Sequence, residues 1–398
     1  MSDESWVGRT FELEVGAVAH GGHCVARAQN RVVFVRHALP GELVTAEVTE
    51  DKGGSFCRAD ATAVLRAAPE RVEPPCPVAV PGGCGGCDWQ HASPQAQREL
   101  KATVVQEQLS RLGGIEREVA VEELPGGMLG WRSRVRFVAG ADGRAGLRMH
   151  RSHRVIPLSG CPISVPGDLD EVFARKWRPG SEIEVTHDDE ARGHVRELNV
   201  VRGKQQARQL KGGRAMQRAV GRDWRLAAHG FWQGHPAAAE ALAAAVRDWA
   251  KPPVGSVAWD FYAGVGLFAS VLATAVGPDG TVFAVESDRH AVTDGETNLA
   301  DLPQVRWCIG RVERALRELT DQPSVVVLDP PRKGAGRAVV EAIAGRFPER
   351  VVYVACDPAA LARDLATFAE HGYRLAELRA FDAFPMTHHV ECVALLSR

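Results

Sequence analysis

The stretch YVACDP places a cysteine where thiol chemistry is possible. Strand formers from Val351 to Val354 lead to Cys356, and Asp357-Pro358 ends the predicted strand. A cysteine that ends a strand and precedes a helix is predicted to have a lowered thiol pKa, because the helix dipole favours the thiolate. The alternative is a small core thiol, since free cysteines are usually buried. Which reading holds depends on the groups that share the site.

A carboxylic acid near the C-terminus is the second candidate. Glu391 lies in PMTHHVECVALL, inside an otherwise apolar predicted strand. A buried carboxylate is costly unless it is paired or used, whereas an edge strand would let the side chain face water. A thiol and a carboxylate in one pocket together permit covalent catalysis, with the thiol as nucleophile and the carboxylate as proton acceptor.

The last third of the chain alternates predicted strands and helices. Val-rich strands are predicted over SVAWDF, TVFAVE, VRWCI, SVVVLD and RVVYVA, with helices such as AAAEALAAAVRDWA, VERALREL and PAALARDLATFAEHG. This pattern predicts an α/β, Rossmann-like fold whose parallel sheet is covered on both faces. Ligands bind at the carboxyl ends of such strands. Four candidate side chains fall at those ends: Asp260, Glu286, Asp329 and Cys356.

A glycine loop follows the first of these strands. In DFYAGVGLF, Gly264 and Gly266 let the backbone approach a ligand where the next helix begins. Glu286, twenty residues beyond Gly266, can accept hydrogen bonds from two ribose hydroxyls. A nicotinamide-dependent oxidoreductase is one alternative, because Ala269 completes a G-x-G-x-x-A pattern.

The fourth predicted strand favours a different cofactor. VVLDPPRKG ends with Asp329 on a turn stiffened by two prolines. It resembles the fourth-strand motif of class I S-adenosylmethionine-dependent methyltransferases. LDPPRKG, ACDP and PMTHHVE are similar, in order and spacing, to successive motifs of the RNA uridine-5-methyltransferase family. This resemblance implies methyl transfer to carbon 5 of uracil.

The family chemistry assigns roles to the candidate residues. Carbon 5 of uracil is a poor nucleophile until a thiolate adds to carbon 6, and a base must later remove the carbon 5 proton. The resemblance implies that Cys356 is the nucleophile and Glu391 the base. Gln233 in GFWQGH matches the family's F-x-Q-x-N glutamine, with His235 where Asn is usual. The cofactor-binding residues are then Gln233, Tyr262, Gly264, Glu286 and Asp329.

Four earlier cysteines indicate a metal site. CPVAVPGGCGGC supplies Cys76, Cys84 and Cys87, and Cys161 in GCPIS is the natural fourth ligand. By ligand count, four thiolates suit zinc and an iron–sulfur cluster equally. The family resemblance implies a [4Fe-4S] cluster, although its first spacing is commonly C-x5-C and seven residues intervene here.

Three domains are predicted. Residues 1–67 read as a small antiparallel β-barrel, from TFELEV, HCVARA, RVVFVRHA and ELVTAEVTE, and HALPGELV is similar to a TRAM domain. Residues 68–225 form a mixed α+β central region with the cysteine site and a helix that Ser93 caps, Pro94 begins and Gly113-Gly114 ends. Residues 226–398 form the methyltransferase domain.

Two basic stretches favour RNA as the partner. Residues 202–225 carry eight Lys or Arg against one acid, and a strand over WRSRVRF would put Arg132, Arg134 and Arg136 on one face. The domain set resembles enzymes of ribosomal RNA, in particular 23S rRNA, more than the shorter transfer RNA enzymes. A transfer RNA uridine-5-methyltransferase and an inactive RNA-binding protein or chaperone are the alternatives. Binding alone would need neither Cys356 nor Glu391.

Composition excludes other classes. The net charge is -2 and 45% of residues are hydrophobic, as in ordinary globular proteins. The sequence has no apolar run of membrane-span length, and MSDESWVGRT lacks the apolar core of a signal peptide. Nine cysteines in such a chain favour metal binding or catalysis over disulfides. We expect a cytoplasmic monomer.

Overall fold

A computed structural model describes residues 5–167, 169–201 and 203–398. The first four residues of the predicted barrel and Arg202 of the basic stretch lie outside the described residues. Within the described ranges, no α-helix is both long and apolar enough to cross a bilayer.

The N-terminal segment forms one five-stranded sheet in the order β1-β4-β5-β3-β2. Four strands were predicted and the last was not. The barrel is not wholly antiparallel, because β5 returns between β4 and β3 and therefore runs parallel to β3. The strands are β1 (Thr10–Glu14), β2 (Cys24–Ala28), β3 (Arg31–Arg36), β4 (Leu43–Asp51) and β5 (Phe56–Arg66).

The central region begins with helix α1 (Pro94–Gly113), and its predicted ends are confirmed. The Ser93 hydroxyl accepts a hydrogen bond from the Ala96 N–H, and Gly114 adopts the left-handed conformation with φ 63°. The elements that follow are β6 (Val121–Glu123), β7 (Arg134–Ala139), β8 (Ala145–Arg148), β9 (Val155–Pro157), α2 (Leu169–Ala174), β10 (Glu182–His187), β11 (Gly193–Val201), β12 (Lys204–Lys211), β13 (Arg214–Ala219) and β14 (Arg222–Ala227).

The C-terminal region alternates helices and strands as predicted. Strands β17-β16-β15-β18-β19 are parallel, while β21 inserts antiparallel between β19 and β20. The elements are α3 (Ala238–Ala250), β15 (Val257–Phe261), α4 (Leu267–Val276), β16 (Thr281–Glu286), α5 (Arg289–Asn298), β17 (Val305–Ile309), α6 (Val312–Glu318), β18 (Val325–Leu328), α7 (Arg337–Ala344), β19 (Arg350–Ala355), α8 (Pro358–Glu370), β20 (Arg374–Asp382) and β21 (Glu391–Ser397).

The central region shares elements with this sheet. Strand β6 pairs in parallel with β20 and becomes the eighth strand, and the other central strands form a six-stranded sheet and the β13-β14 hairpin. Helix α1 buries Val105 and Leu109 in the apolar core that also contains Leu365 and Phe368 of α8. Residues 94–123 therefore pack with the C-terminal sheet, although they were predicted to belong to the central region.

Candidate active site

Neighbouring strands bring the predicted thiol and carboxylate together. Ala355 of β19 pairs with Cys392 of the antiparallel β21, so Cys356, which follows β19, and Glu391, which begins β21, lie side by side. Asp329 follows β18, the strand on the other side of β19. The parallel strands all end at this edge, which explains why three residues far apart in sequence share one site.

The environment of Cys356 is acidic, and the prediction of a lowered thiol pKa is wrong. Burial, with charge repulsion from Glu391 and Asp329 acting in the same direction, raises the pKa of Cys356 to about 12. The helix N-terminus does not compensate, because the Asp357 carboxylate caps α8 by accepting from the Ala360 N–H at 2.8 Å. That carboxylate adds another negative charge beside the thiol.

Both carboxyl groups are also shifted. Burial raises the pKa of Glu391 well above its usual range, and repulsion from Asp329 acts in the same direction. Burial likewise raises the pKa of Asp329. Arg332, in the turn after Asp329, lowers the pKa of both Glu391 and Cys356. Such displaced values in a pocket are typical of groups that exchange protons during a reaction.

A small pocket gathers most of the predicted cofactor residues. Gln233, Tyr262, Gly264 and Asp329 all line it. Gly264 has φ 56°, a left-handed conformation that glycine adopts without strain. The Gly264 N–H donates to Glu286 Oε2 at 3.0 Å, so the fifth predicted residue fixes the glycine loop. Its other oxygen accepts from the N–H groups of the next turn, which holds the carboxylate at the rim of the sheet.

His235 replaces the family's asparagine and packs rather than projecting into solvent. Its side chain is buried, with the ring stacked on Trp131 at a centroid distance of 6.0 Å. His235 Nδ1 accepts from the Ala237 N–H at 3.2 Å at the start of α3. Burial lowers the pKa of His235, which favours the neutral ring. The histidine therefore supports the loop that carries Gln233.

Two further charged residues at this edge carry no assignment from the sequence motifs. In the sequence Arg332 is only one residue of DPPRKG, and its proximity to Glu391 could not be predicted because it depends on the fold. Asp260 was visible as a strand-end acid, and the structure buries it completely. Burial raises the pKa of Asp260 well above its usual range, with further contributions from Asp329 and Glu286. Three acids, Asp260, Glu286 and Asp329, therefore lie close enough at this edge of the sheet to repel one another.

The four early cysteines line one small cavity. Cys76, Cys84, Cys87 and Cys161 surround it together with apolar side chains such as Leu147 and Leu158. Nearby N–H groups point at two sulfurs: Gly86 N donates to Cys84 Sγ at 3.4 Å and Gln90 Nε2 to Cys87 Sγ at 3.1 Å. Across the described ranges, no group of three or more His, Cys, Asp or Glu side chains has an arrangement that could hold a metal ion.

Glycine is required in the loop that carries these cysteines. A Cβ on Gly83 would lie only 2.3 Å from the Val78 carbonyl oxygen, closer than real side chains approach. The Cys84 N–H donates to that same carbonyl at 2.8 Å. The glycine thus lets the loop fold back over Val78 and direct its thiols into the cavity.

The basic stretches are largely neutralised within the fold. Arg134 is half-buried and donates to the Ala228 carbonyl at 2.7 Å, and Arg136 pairs with Glu182 at 3.2 Å. Arg214 likewise pairs with Asp294 at 2.5 Å. Strand β7 puts Arg134 and Arg136 on one face, as predicted, while Arg132 precedes the strand. Carbonyls and acids distant in sequence fold onto both strand arginines. These cations stabilise the junction between elements.

Comparison with known proteins agrees with this geometry. The tRNA (uracil-5-)-methyltransferase family matches residues 315–398, and the TRAM domain family matches residues 4–61. An uncharacterized RNA methyltransferase of Streptomyces avermitilis is 45% identical over 98% of this chain and 98% of its own length. Another from Streptomyces coelicolor is 46% identical over 98% of this chain and 93% of its own.

A solved structure has the same fold. The Pyrococcus abyssi tRNA (uracil-54, C5)-methyltransferase, in complex with S-adenosyl-L-homocysteine, superposes with a TM-score of 0.74 at 21% identity. The match covers 97% of this chain and 100% of that one. The protein is therefore an S-adenosylmethionine-dependent RNA methyltransferase with an N-terminal TRAM domain. It belongs to the family of these RNA methyltransferases, its residues 315–398 match the tRNA (uracil-5-)-methyltransferase family, and the nicotinamide alternative is rejected.

Proposed function

We propose that the protein methylates carbon 5 of a specific uridine in RNA through a covalent bond between Cys356 and carbon 6 of the base. The observation that carries this proposal is the adjacency of Cys356 and Glu391 on paired strands, with Asp329 beside them. A nucleophile and a base at one site satisfy the two demands of the reaction. An RNA-binding protein or chaperone without activity has no use for this pair.

The protein's residues would act in a fixed order. The Cys356 thiolate adds to carbon 6, and the electron pair of the double bond makes carbon 5 nucleophilic. S-adenosylmethionine supplies an electrophilic methyl group on a sulfonium sulfur. Once carbon 5 carries the methyl group, Glu391 accepts its proton, the double bond returns and Cys356 leaves as a thiolate.

Charge explains how the pocket would be activated. Burial and repulsion from neighbouring acids raise the pKa values of Cys356 and Glu391, which disfavours the ionised form of each group in the free pocket. Arg332 opposes this shift. A positively charged sulfonium nearby would act in the same direction as Arg332, because opposite charge favours the ionised form of an acid. Cofactor binding would then ready both groups for the reaction.

We assign cofactor binding to the pocket residues Gln233, Tyr262, Gly264, Glu286 and Asp329. Four of them line one pocket, and the fifth, Glu286, holds the Gly264 loop. The Glu286 carboxylate is suited to the ribose hydroxyls, since charge-assisted hydrogen bonds are strong.

For Cys76, Cys84, Cys87 and Cys161 we propose a [4Fe-4S] cluster, with zinc as the alternative, although the side chains of the described residues are not arranged to hold a metal ion as they stand. The shared cavity and the N–H donors on two sulfurs support a site for thiolates, because such donors stabilise negative sulfur. The group would stabilise the fold and supplies no atom that the methyl transfer needs.

The proposed substrate is ribosomal RNA of the large subunit, on the resemblance of the three-domain layout to ribosomal RNA enzymes. Nucleoside mapping of rRNA and tRNA from cells with and without the gene tests this directly. We expect loss of a single 5-methyluridine in 23S rRNA. Loss of a tRNA 5-methyluridine would instead assign tRNA as the substrate, and unchanged RNA would refute the activity.

A further inference from the structure

The connection that precedes Glu391 is held mainly by residues outside the C-terminal sheet. It spans residues 383–390, between the end of β20 and the start of β21. The Met386 carbonyl accepts from the N–H groups of Asp88 at 2.9 Å and Trp89 at 3.1 Å, and the Met386 N–H donates to Gln97 Oε1 at 2.8 Å. Met386 has φ 66°, a conformation that a non-glycine residue keeps only when its surroundings enforce it.

Asp88 is the charged centre of these contacts. Its Oδ2 accepts from the His388 N–H at 3.1 Å and lies 2.7 Å from His388 Nδ1. Its Oδ1 accepts from Arg36 of the barrel at 3.3 Å. Asp88 directly follows Cys87, so one carboxylate joins the barrel, the cysteine loop and the connection. Among the hydrogen bonds of the described residues, none joins Asp88 to Cys356 or Glu391.

The connection leads from Asp88 towards the reacting groups. The rings of His388 and His389 lie 4.1 Å apart, and His389 Nε2 is 3.3 Å from Arg332 Nη2. Arg332 is the cation that favours the ionised forms of Cys356 and Glu391. Displacement of His388 would therefore disturb both the start of β21 and the position of this arginine.

The barrel closes the same region from outside. A Cβ on Gly22 would lie 2.7 Å from the His388 Cβ, so the turn packs directly against this histidine. His20 Nε2, in the same turn, lies 3.1 Å from Asp357 Oδ2, next to the nucleophile. The barrel therefore forms an outer wall of the active site in addition to any part it has in RNA binding.

We infer that Asp88 is a positioning residue for methyl transfer. Asp88 fixes His388, and His388 fixes the connection that leads into Glu391 and contacts Arg332. The inference rests on the proposed role of Glu391. It predicts that the cysteine loop and the barrel act on the chemical step itself, since misplacing a reacting group by about 1 Å costs on the order of 100-fold in rate.

The test compares Asp88→Ala and Asp88→Asn with a matched control, Asp51→Ala. Asp51 lies in the same half of the chain, and its side chain, like that of Asp88, is largely shielded from solvent. It pairs with Arg31 at 2.7 Å and accepts from the Trp6 N–H at 2.9 Å. The substrate is rRNA and tRNA from cells lacking the gene. The readouts are kcat, KM for both substrates, thermal midpoint and iron content.

For Asp88→Ala we expect kcat to fall on the order of 100-fold with KM for S-adenosylmethionine and iron content unchanged. Asp88→Asn, which can still accept from the His388 N–H, should recover part of kcat. Asp51→Ala should lower the thermal midpoint and leave kcat unchanged. If Asp88→Ala does not fold, Asp88→Asn alone must show a loss of kcat, smaller than the loss expected for Asp88→Ala.

An unchanged kcat in the folded Asp88 variants would overturn the inference, as would an equal kcat loss in Asp51→Ala. Glu391→Gln, assayed in parallel, separates this failure from failure of the proposed function. If Glu391→Gln blocks turnover while the Asp88 variants are fully active, Glu391 keeps its role and only the positioning claim is lost.

Discussion

Cys356 and the four cysteines at 76, 84, 87 and 161 are all shielded thiols, yet their neighbours differ. Burial, together with the neighbouring carboxyl groups of Glu391 and Asp329, raises the pKa of Cys356 to about 12. The four-cysteine cavity is lined by apolar side chains, and N–H groups of Gly86 and Gln90 donate to two of its sulfurs. Burial also raises the pKa values of Cys84 and Cys87, but there the Gly86 and Gln90 donors act to lower them, whereas the acids beside Cys356 act in the same direction as burial.

This difference fits the two proposed roles, a reactive thiol at Cys356 and ligating thiols at the other site. A nucleophile must become a thiolate during the reaction and leave again, so its neighbours have to exchange protons and charge with the substrate. A metal-binding thiolate persists, and hydrogen-bond donors to its sulfur stabilise it throughout. Neighbouring groups, more than burial, thus distinguish the two sites.

The largest expected effect is that of Cys356→Ala. Methyl transfer should be abolished, because carbon 5 of uracil stays a poor nucleophile without addition at carbon 6. S-adenosylmethionine should still bind, since the cofactor pocket is lined by other residues. Isothermal titration calorimetry with the cofactor provides the check. A loss of cofactor affinity in this variant would show that the thiol serves the cofactor instead.

Glu286→Ala should give a smaller effect of the opposite kind. Removing charge-assisted contacts costs about 1.5–3 kcal/mol, which weakens cofactor binding roughly 10- to 150-fold. The Gly264 loop also loses its anchor at 3.0 Å. Cofactor titration measures the change, with Glu296→Ala on the nearby helix α5 as a control. Equal affinity in the wild-type protein and Glu286→Ala would refute the ribose assignment.

Cys84→Ser should have the smallest effect on the chemical step. Protein purified without oxygen should contain iron and acid-labile sulfide, and the variant should lose both together with soluble yield. Its single-turnover rate should fall less than that of any variant at Cys356. Zinc without sulfide in the wild-type protein would replace the cluster by a zinc site, and full retention of iron in the variant would remove Cys84 from the ligands.

Local features were predictable from the sequence because neighbours along the chain determine them. Ser93 and Gly114 cap α1 through contacts within a few residues, and Val-rich runs form the buried parallel strands. Motif order also predicted that Cys356 and Glu391 share one site, since strand ends converge at one edge of the sheet.

Features that depend on distant residues were not predictable. Asp88 and His388 are 300 positions apart, and no pattern in either segment indicates that they meet. The pKa of Cys356 was misjudged because the helix dipole is visible in sequence, whereas the burial and the neighbouring acids that outweigh it are not. Arg134 was predicted to belong to a basic face for RNA, whereas in the fold its guanidinium donates to a backbone carbonyl.

The central claim, that Cys356 attacks and Glu391 acts afterwards as base, is tested most directly with Glu391→Gln. Glutamine keeps nearly the same volume but cannot accept the carbon 5 proton, so the reaction should stop after methyl transfer. With S-adenosylmethionine and RNA from cells lacking the gene, this variant should form a protein–RNA adduct that survives denaturing electrophoresis. The adduct should carry the transferred methyl group and vanish in the double variant with Cys356→Ala. Normal turnover by Glu391→Gln, or the absence of any adduct, would contradict the claim.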